Sequence, residues 1–398
     1  MRILHVVPYY EHAWAYGGIP RLATTMTRAL ARRGHHVTVC TTDVRDDRAR
    51  ASPCETSAHG VNVRMFRNLS NSLAYHLQFF TPMGLRQYMR RTAETFEIAH
   101  IHACHNLPGV IAAAELARAG VPYVVSPNGT ARPIERRIVA KRLFALTAGR
   151  SMLSAAARIV AVSRTEVSQL RAMGVEDAAI AHIPNPIDDR EFDLPAEARG
   201  FRTRMHVGDA PIVLFLGKLT PRKGVGDLVR AFARLDAPGA ILVIAGNDMG
   251  TRRSIDSLVK TLRLHERVIF TGLLPGQARL EALTAATVVV YPSSDEIFGL
   301  VPLEALLCGT PVVVCNDSGC GEVISLTGGG QAVPHADIDR LSAAIDAVLF
   351  DQQMWRDRAR RAAGIARQQF GSDVICGHLE SLYSTVLEET SKSRRIGA

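Results

Sequence analysis

No apolar run in this 398-residue chain reaches the ~18 to 20 residues that a membrane-spanning helix needs, so no segment is expected to cross a bilayer. The start, MRILHVVPYY, is too short for a secretory signal and reads as a strand; a cytoplasmic protein is expected. Cysteine is sparse: seven residues, at 40, 54, 104, 308, 315, 320 and 376, odd in number and never spaced C-x-x-C. That argues against a disulfide framework or a thiolate zinc site and leaves reduced structural thiols. Neither G-x-x-x-x-G-K-[ST] nor G-x-G-x-x-G occurs, which argues against a P-loop NTPase and a dinucleotide dehydrogenase. Aromatic residues make up 6% of the chain, few for a base-stacking surface, and no helix-turn-helix, RNP or zinc-finger pattern is present. Nucleic acid is therefore not an expected partner.

What is present points to two α/β domains. The length exceeds a usual single core, and 47% hydrophobic against 21% charged residues suffices to pack both. Short, nearly continuous apolar runs of the buried parallel type recur: residues 2–7, 36–41, 97–102, 123–126, 158–162 and 180–184. Residues 42–95 resist reading. Asn185 to Ala210, rich in proline, acids and arginine, reads as a linker, after which the pattern restarts at Ile212 and continues through 241–245, 268–271, 288–291 and 312–315. Between the first two strands, Gly17 and Gly18 precede a helix that starts near Pro20, the place where an open α/β sheet binds ligands. His100 and His102 share one face by period-two alternation; with His105 they raise a metal site, but no further ligand is evident.

The net charge of +9 is uneven: residues 1–186 hold 23 basic and 12 acidic residues, residues 187–398 hold 24 and 26. An anionic membrane surface or acceptor is the expected target of the first half. The segment from Arg132 to Arg150, RPIERRIVAKRLFALTAGR, alternates basic and apolar residues at helical spacing, which suits either a helix at an anionic membrane surface or a core-packed surface helix.

The stretch from Tyr291 to Val314, YPSSDEIFGLVPLEALLCGTPVVV, organises the second half. A strand ends at Tyr291, a polar loop follows, and Pro302 marks the first turn of a short helix that Gly309 stops. Backbone N–H groups of Gly299, Leu300 and Val301 then stand where an anion such as a diphosphate would sit. Glu296 and Glu304 flank that pocket and are better suited to hydroxyls than to phosphate. Asp337-Ile338-Asp339 matches a metal-binding D-x-D, but its place before a helical run favours capping.

The E-x-F-G-L-x-x-x-E arrangement from Glu296 to Glu304, followed by Cys-Gly-Thr-Pro-Val-Val, resembles the signature of glycosyltransferase family 4. Gly217-Lys218-Leu219-Thr220-Pro221-Arg222-Lys223-Gly224 resembles that family's phosphate segment, with Lys218 in place of the usual Arg, and Gly17-Gly18, HIH at 100–102, SPNG at 126–129 and IPNP at 183–186 have counterparts. The resemblance implies an α/β chain with the GT-B fold, two doubly wound Rossmann-like domains facing across a cleft: an acceptor-side domain, 1–186; a nucleotide-sugar domain, 187–372; and a helical tail, 373–398, that crosses back in relatives. It implies a retaining transferase moving a sugar from a nucleotide diphosphate sugar to a saccharide or lipid-linked acceptor, as in bacterial polysaccharide or glycolipid assembly. No cofactor and no metal are expected, the donor being a co-substrate. Glu296, Lys223, Asn128 and His102 are the expected catalytic residues; Asn128 stands where relatives often carry His or Arg, so hydrogen bonding survives but His catalysis does not. Donor contacts are expected from Gly17, Gly18, Lys218, Arg222, Lys223, Glu296, Phe298, Gly299, Leu300, Val301 and Glu304, with Glu304 on the ribose and Glu296 on the sugar. A nucleotide-sugar epimerase of the same fold and a non-catalytic basic scaffold for membranes or nucleic acid are the competing readings.

Overall fold

A computed structural model describes residues 1–13, 16–51, 57–131, 149–193 and 197–396. The chain forms two compact units, Met1–Pro186 with Ser372–Ala398, and Ile187–Gly371.

The first unit is an eight-stranded sheet: β1 (Arg2–Val6), β2 (His36–Thr42), β3 (Ser57–Ala58), β4 (Val61–Phe66), β5 (Ile98–His102), β6 (Tyr123–Ser126), β7 (Arg158–Ala161) and β8 (Ile180–His182). The order is β3-β4-β2-β1-β5-β6-β7-β8, parallel except for β3 against β4. Central strands are buried on both faces, which is why β1 reads as an unbroken apolar run: Ile3 and Val7 pack with Leu22, Met26 and Leu30, while Leu4 and Val6 pack with Ile101, Leu116 and Val125 on the other side. The 25-residue helix Ser372–Ile396 covers the first face, laying Ile375, Leu379, Tyr383 and Val386 at helical spacing into that core. Arg33 clamps it through both carboxylate oxygens of Glu380 at 2.6 Å.

The second unit is an all-parallel six-stranded sheet, β9 (Ile212–Leu216), β10 (Ile241–Ala245), β11 (Val268–Gly272), β12 (Val288–Tyr291), β13 (Val312–Cys315) and β14 (Gly330–Val333), in the order β11-β10-β9-β12-β13-β14. The order reverses at β9, so the C-terminal ends of β9 and β12 form the switch point at which such sheets take ligands. The Gly217 to Gly224 and Pro292 to Gly299 segments leave from those two ends.

One expectation is corrected here. The stretch 185–210 is not a bare linker: it holds a turn at Asp189–Phe192 and a helix at Ala198–Met205, whose Phe201 is fully buried. Residues 42–95 contain β4 and the helices Asn71–Leu77 and Leu85–Thr92. Residues 132–148 of the basic segment lie outside the described residues; Arg150–Ser154 is helical. Among the described residues no helix is long and apolar enough to cross a membrane.

Candidate functional site

At the switch point, Pro221–Lys223 forms a short turn closed by Gly224 at φ +65°. A Cβ on Gly224 would lie 2.2 Å from the carbonyl oxygen of Pro292, so this turn and the loop after β12 touch backbone to backbone. Ser294 N–H donates to the Arg222 carbonyl at 2.9 Å, and the Arg222 guanidinium returns bonds to the carbonyls of Ser294 (3.3 Å) and Asp295 (3.1 Å). Cys320 N–H donates to the Glu296 carbonyl at 2.9 Å, holding the loop from its other side. Two motifs separated by seventy residues of sequence are thereby locked together.

Lys223 points into this junction and is buried; its ammonium donates to the Glu296 carboxylate and to the Tyr291 hydroxyl. Burial pulls the Lys223 pKa down against the opposing pull of Glu296. For Glu296, burial pushes the carboxyl up, but Lys223 first and Arg222 next outweigh it and hold it at about 2, an ionised carboxylate paired with a cation. The contacts to Lys223, Ser293 (3.0 Å), Tyr291 (3.3 Å) and Arg222 (3.7 Å) all fall on Oε2. Oε1 accepts nothing among the described residues, and the side chain keeps 19% of its surface exposed.

The helix Leu300–Leu307 begins behind Gly299, whose left-handed φ of +78° turns the loop into the first turn. Leu300 and Val301 stand half-buried at this N-terminus, with Pro302 inside it. Glu304, in contrast, is 2% exposed and paired with Arg279 of the helix Gly276–Ala285; Arg279 also reaches Glu191 at 2.6 Å. Sequence reasoning missed Arg279, since an arginine on an otherwise unremarkable helix carries no motif, and it took the segment holding Glu191 for a linker. Phe298, expected among donor contacts, is buried with its ring edge-on to Phe370, 5.5 Å away, and packs the unit instead. Lys218 is half-buried at the end of β9.

In the first unit, Gly17 (φ +99°) caps the helix Gly18–Arg32 at the C-terminal edge of β1. His102 departs from its expected place as a polar wall: it has no exposed surface. It stacks with His100 (centroids 4.4 Å, planes 4° apart) and bonds His5 at 2.9 Å, on the sheet face covered by the C-terminal helix. His5 is the neighbour that sequence reading did not find; strand register sets it beside His100. Both ring nitrogens of His100 are engaged, by Tyr383 (2.6 Å) and Ser126 (2.7 Å), and near-parallel rings project their lone pairs along parallel planes, so the trio does not converge on one ion. His105 stands apart, 3.2 Å from the Ala131 carbonyl. Asn128, at φ +52°, donates to the Ser126 carbonyl at 3.3 Å, while its Oδ1 is buried and, among the described residues, has no donor. Asp337 caps the helix Ile338–Phe350 by accepting from Arg340 N–H at 3.0 Å, as its sequence position suggests.

Residues 201–368 match the family described as Glycosyl transferases group 1, and residues 16–191 match Glycosyltransferase Family 4. A D-inositol 3-phosphate glycosyltransferase of Acidothermus cellulolyticus is 30% identical, over 96% of this chain and 89% of its own. A 2-deoxystreptamine N-acetyl-D-glucosaminyltransferase of Streptomyces fradiae is 27% identical over 96% of both chains. Among solved structures, HepE of Anabaena in complex with UDP and glucose superposes with a TM-score of 0.78 at 20% identity, covering 97% of this chain and 100% of that one. Sucrose-phosphate synthase of Thermosynechococcus elongatus gives 0.76 at 22%, covering 98% and 100%. These likenesses show the fold, GT-B, and the sequence relatives show the lineage: the chain belongs to glycosyltransferase family 4.

Proposed function

We propose that this glycosyltransferase moves a hexosyl group, with retention and without a metal ion, from a nucleotide diphosphate sugar to a hydroxyl of a polyhydroxylated acceptor. The observation that carries the reading is the Lys223–Glu296 pair at the switch point, with one carboxylate oxygen uncommitted beside a helix N-terminus. Lys223, Arg222, Lys218 and the N–H groups of Gly299 to Val301 stabilise the departing diphosphate, work otherwise given to a divalent cation. Glu296 Oε1 accepts a donor-sugar hydroxyl. Glu304, sealed against Arg279, takes the ribose only if that pair opens.

Glu296, ionised and paired with a cation through Oε2, is poorly suited to attack an anomeric carbon as a nucleophile; the departing phosphate instead takes the acceptor's proton on the same face. Relatives whose names give inositol phosphate and 2-deoxystreptamine as acceptors support a polar cyclic polyol or saccharide. A lipid-linked acceptor at an anionic membrane is the second reading. Exposed Leu69, Phe79 and Met83, in a stretch without an acidic residue from 57 to 93, favour it.

Incubation with nucleotide sugars and candidate polyols in excess EDTA tests the proposal: transfer persists, and the anomeric coupling constant of the product matches that of the donor. Activity lost in EDTA and restored by magnesium, or an inverted product, contradicts it. An epimerase would convert the donor with no acceptor present.

A further inference from the structure

The turn after β6 places Asn128 and Gly129 both in the left-handed region, at φ +52° and +77°, a conformation that suits an Asn-Gly pair. Thr130 closes it from one side, its N–H and its hydroxyl both donating to the Pro127 carbonyl, at 3.1 and 2.6 Å. From the other side Gly129 N–H donates to Glu166 Oε1 at 2.6 Å. The second oxygen of the same carboxylate accepts from Val162 N–H at 2.9 Å. Pro127 follows β6 and Val162 follows β7, and these strands are hydrogen-bonded neighbours. One side chain therefore staples the C-terminal ends of two adjacent strands, at the edge where open parallel sheets bind ligands.

Glu166 has no exposed surface, and among the described residues no cation faces it and the two backbone N–H groups are its only partners. Burying a carboxylate in this way is costly, and helix capping explains one of its two bonds: Ser163-x-x-Glu166 has the capping-box spacing and Glu166 reaches back to Val162 N–H, whereas the bond to Gly129 lies outside the helix. The cap of the helix Arg164–Ala172 is Ser163, whose hydroxyl accepts from Glu166 N–H. The carboxylate ties the turn to the end of β7, and the turn carries Asn128, whose amide oxygen is buried and, among the described residues, without a donor. A ligand hydroxyl is a donor that would satisfy this acceptor.

We propose that Glu166 is a positioning residue at the ligand-binding edge of the first unit's sheet: it braces the Asn128–Gly129 turn so that the Asn128 amide oxygen meets a hydroxyl of the carbohydrate. The hydroxyl partner rests on the function proposed above; the brace does not. Burial pushes the Glu166 carboxyl up to about 7 against the pull of the two N–H groups, so its charge changes near neutrality. The titratable neighbour across from it, the Cys104 thiol, is pushed up to about 12, by burial first and then by Glu166, and stays neutral there. Bonds to an ionised acceptor are the stronger ones, so the Gly129 bond should weaken as Glu166 takes a proton.

Asn128–Gly129 is the one Asn-Gly pair in the sequence. Labelling asparagine with carbonyl 13C and glycine with 15N therefore isolates the Gly129 amide in a carbonyl-filtered spectrum. In the wild type this resonance should move between pH 5 and 9 with a midpoint within about one unit of 7, and in Glu166→Gln it should stay fixed. Glu166→Gln should also lower kcat/KM for sugar transfer at least tenfold while leaving nucleoside diphosphate affinity and melting temperature near those of the wild type. A Gly129 resonance that neither titrates in the wild type nor shifts in Glu166→Gln overturns the brace. A titrating resonance with unaltered kcat/KM in Glu166→Gln overturns the positioning role. A wild type that transfers no sugar contradicts the proposed function instead and leaves the titration readable.

Discussion

Glu296 and Glu304 stand eight positions apart and look alike in sequence, yet they sit in opposite environments. Glu296 gives one oxygen to Lys223, Ser293 and Tyr291 and keeps the other uncommitted, whereas Glu304 is sealed against Arg279. Replacing Glu296 with Gln keeps the shape and removes the charge that neutralises Lys223. Affinity for the intact donor should fall roughly ten- to a hundredfold, the cost of about 1.5 to 3 kcal/mol for a bond to a charged acceptor. Free nucleoside diphosphate should bind as tightly or more tightly, because Lys223 then carries an uncompensated charge. Calorimetry on both ligands decides this, and equal weakening would show that Glu296 does not address the sugar. For Glu304, truncation to Ala removes the buried partner of Arg279 and should cost about 3 to 5 kcal/mol, lowering the melting temperature by roughly 10 °C. Glu304→Gln should cost less, and it is the variant with which ribose binding can be judged. An Ala variant that melts like the wild type would mean the pair adds nothing to stability.

Elements were legible where burial on both faces leaves an unbroken apolar run. β1, β5, β9, β10, β12 and β13 all read that way, and so did the helix at Pro302, from its proline and its Gly309 stop. β14 was missed because Gly328 to Gly330 looks like a turn, and β4 because its V-N-V-R alternation lies half-exposed in a charged region. The site's long-range partners were not legible: no spacing rule links Arg279 to Glu304, or His5 to His102. The histidine stack has its own pH consequence. Burial lowers the pKa of His5, His100 and His102, that of His102 to about 3, so the folded chain keeps them neutral while the unfolded chain protonates them near 6.5. Their stabilising contribution is present above about pH 6.5 and is lost as pH falls, at up to about 1.4 kcal/mol per unit for each ring. Glu166, raised to about 7, acts in the opposite sense but is one group against three. Melting temperature should therefore drop between pH 7 and 5; a flat or rising profile would show that the stack does not stay neutral.

At the scale of the whole chain, the path crosses into the second unit after Pro186 and returns after Gly371, so that residues far apart in sequence complete the first core. Tyr383 is one of them, 283 positions from the histidine it bonds. The residues proposed to hold the diphosphate, by contrast, lie in Ile187–Gly371, whose sheet brings the Lys223 turn and the Glu296 loop to one end. Titrating the protein calorimetrically with UDP, GDP and ADP in excess EDTA, beside Lys223→Gln, which can still donate to Glu296 and Tyr291, measures that claim. At least one diphosphate should bind without metal, and the substitution should weaken it at least tenfold. Failure of all three to bind, or equal affinity in Lys223→Gln, would contradict the account.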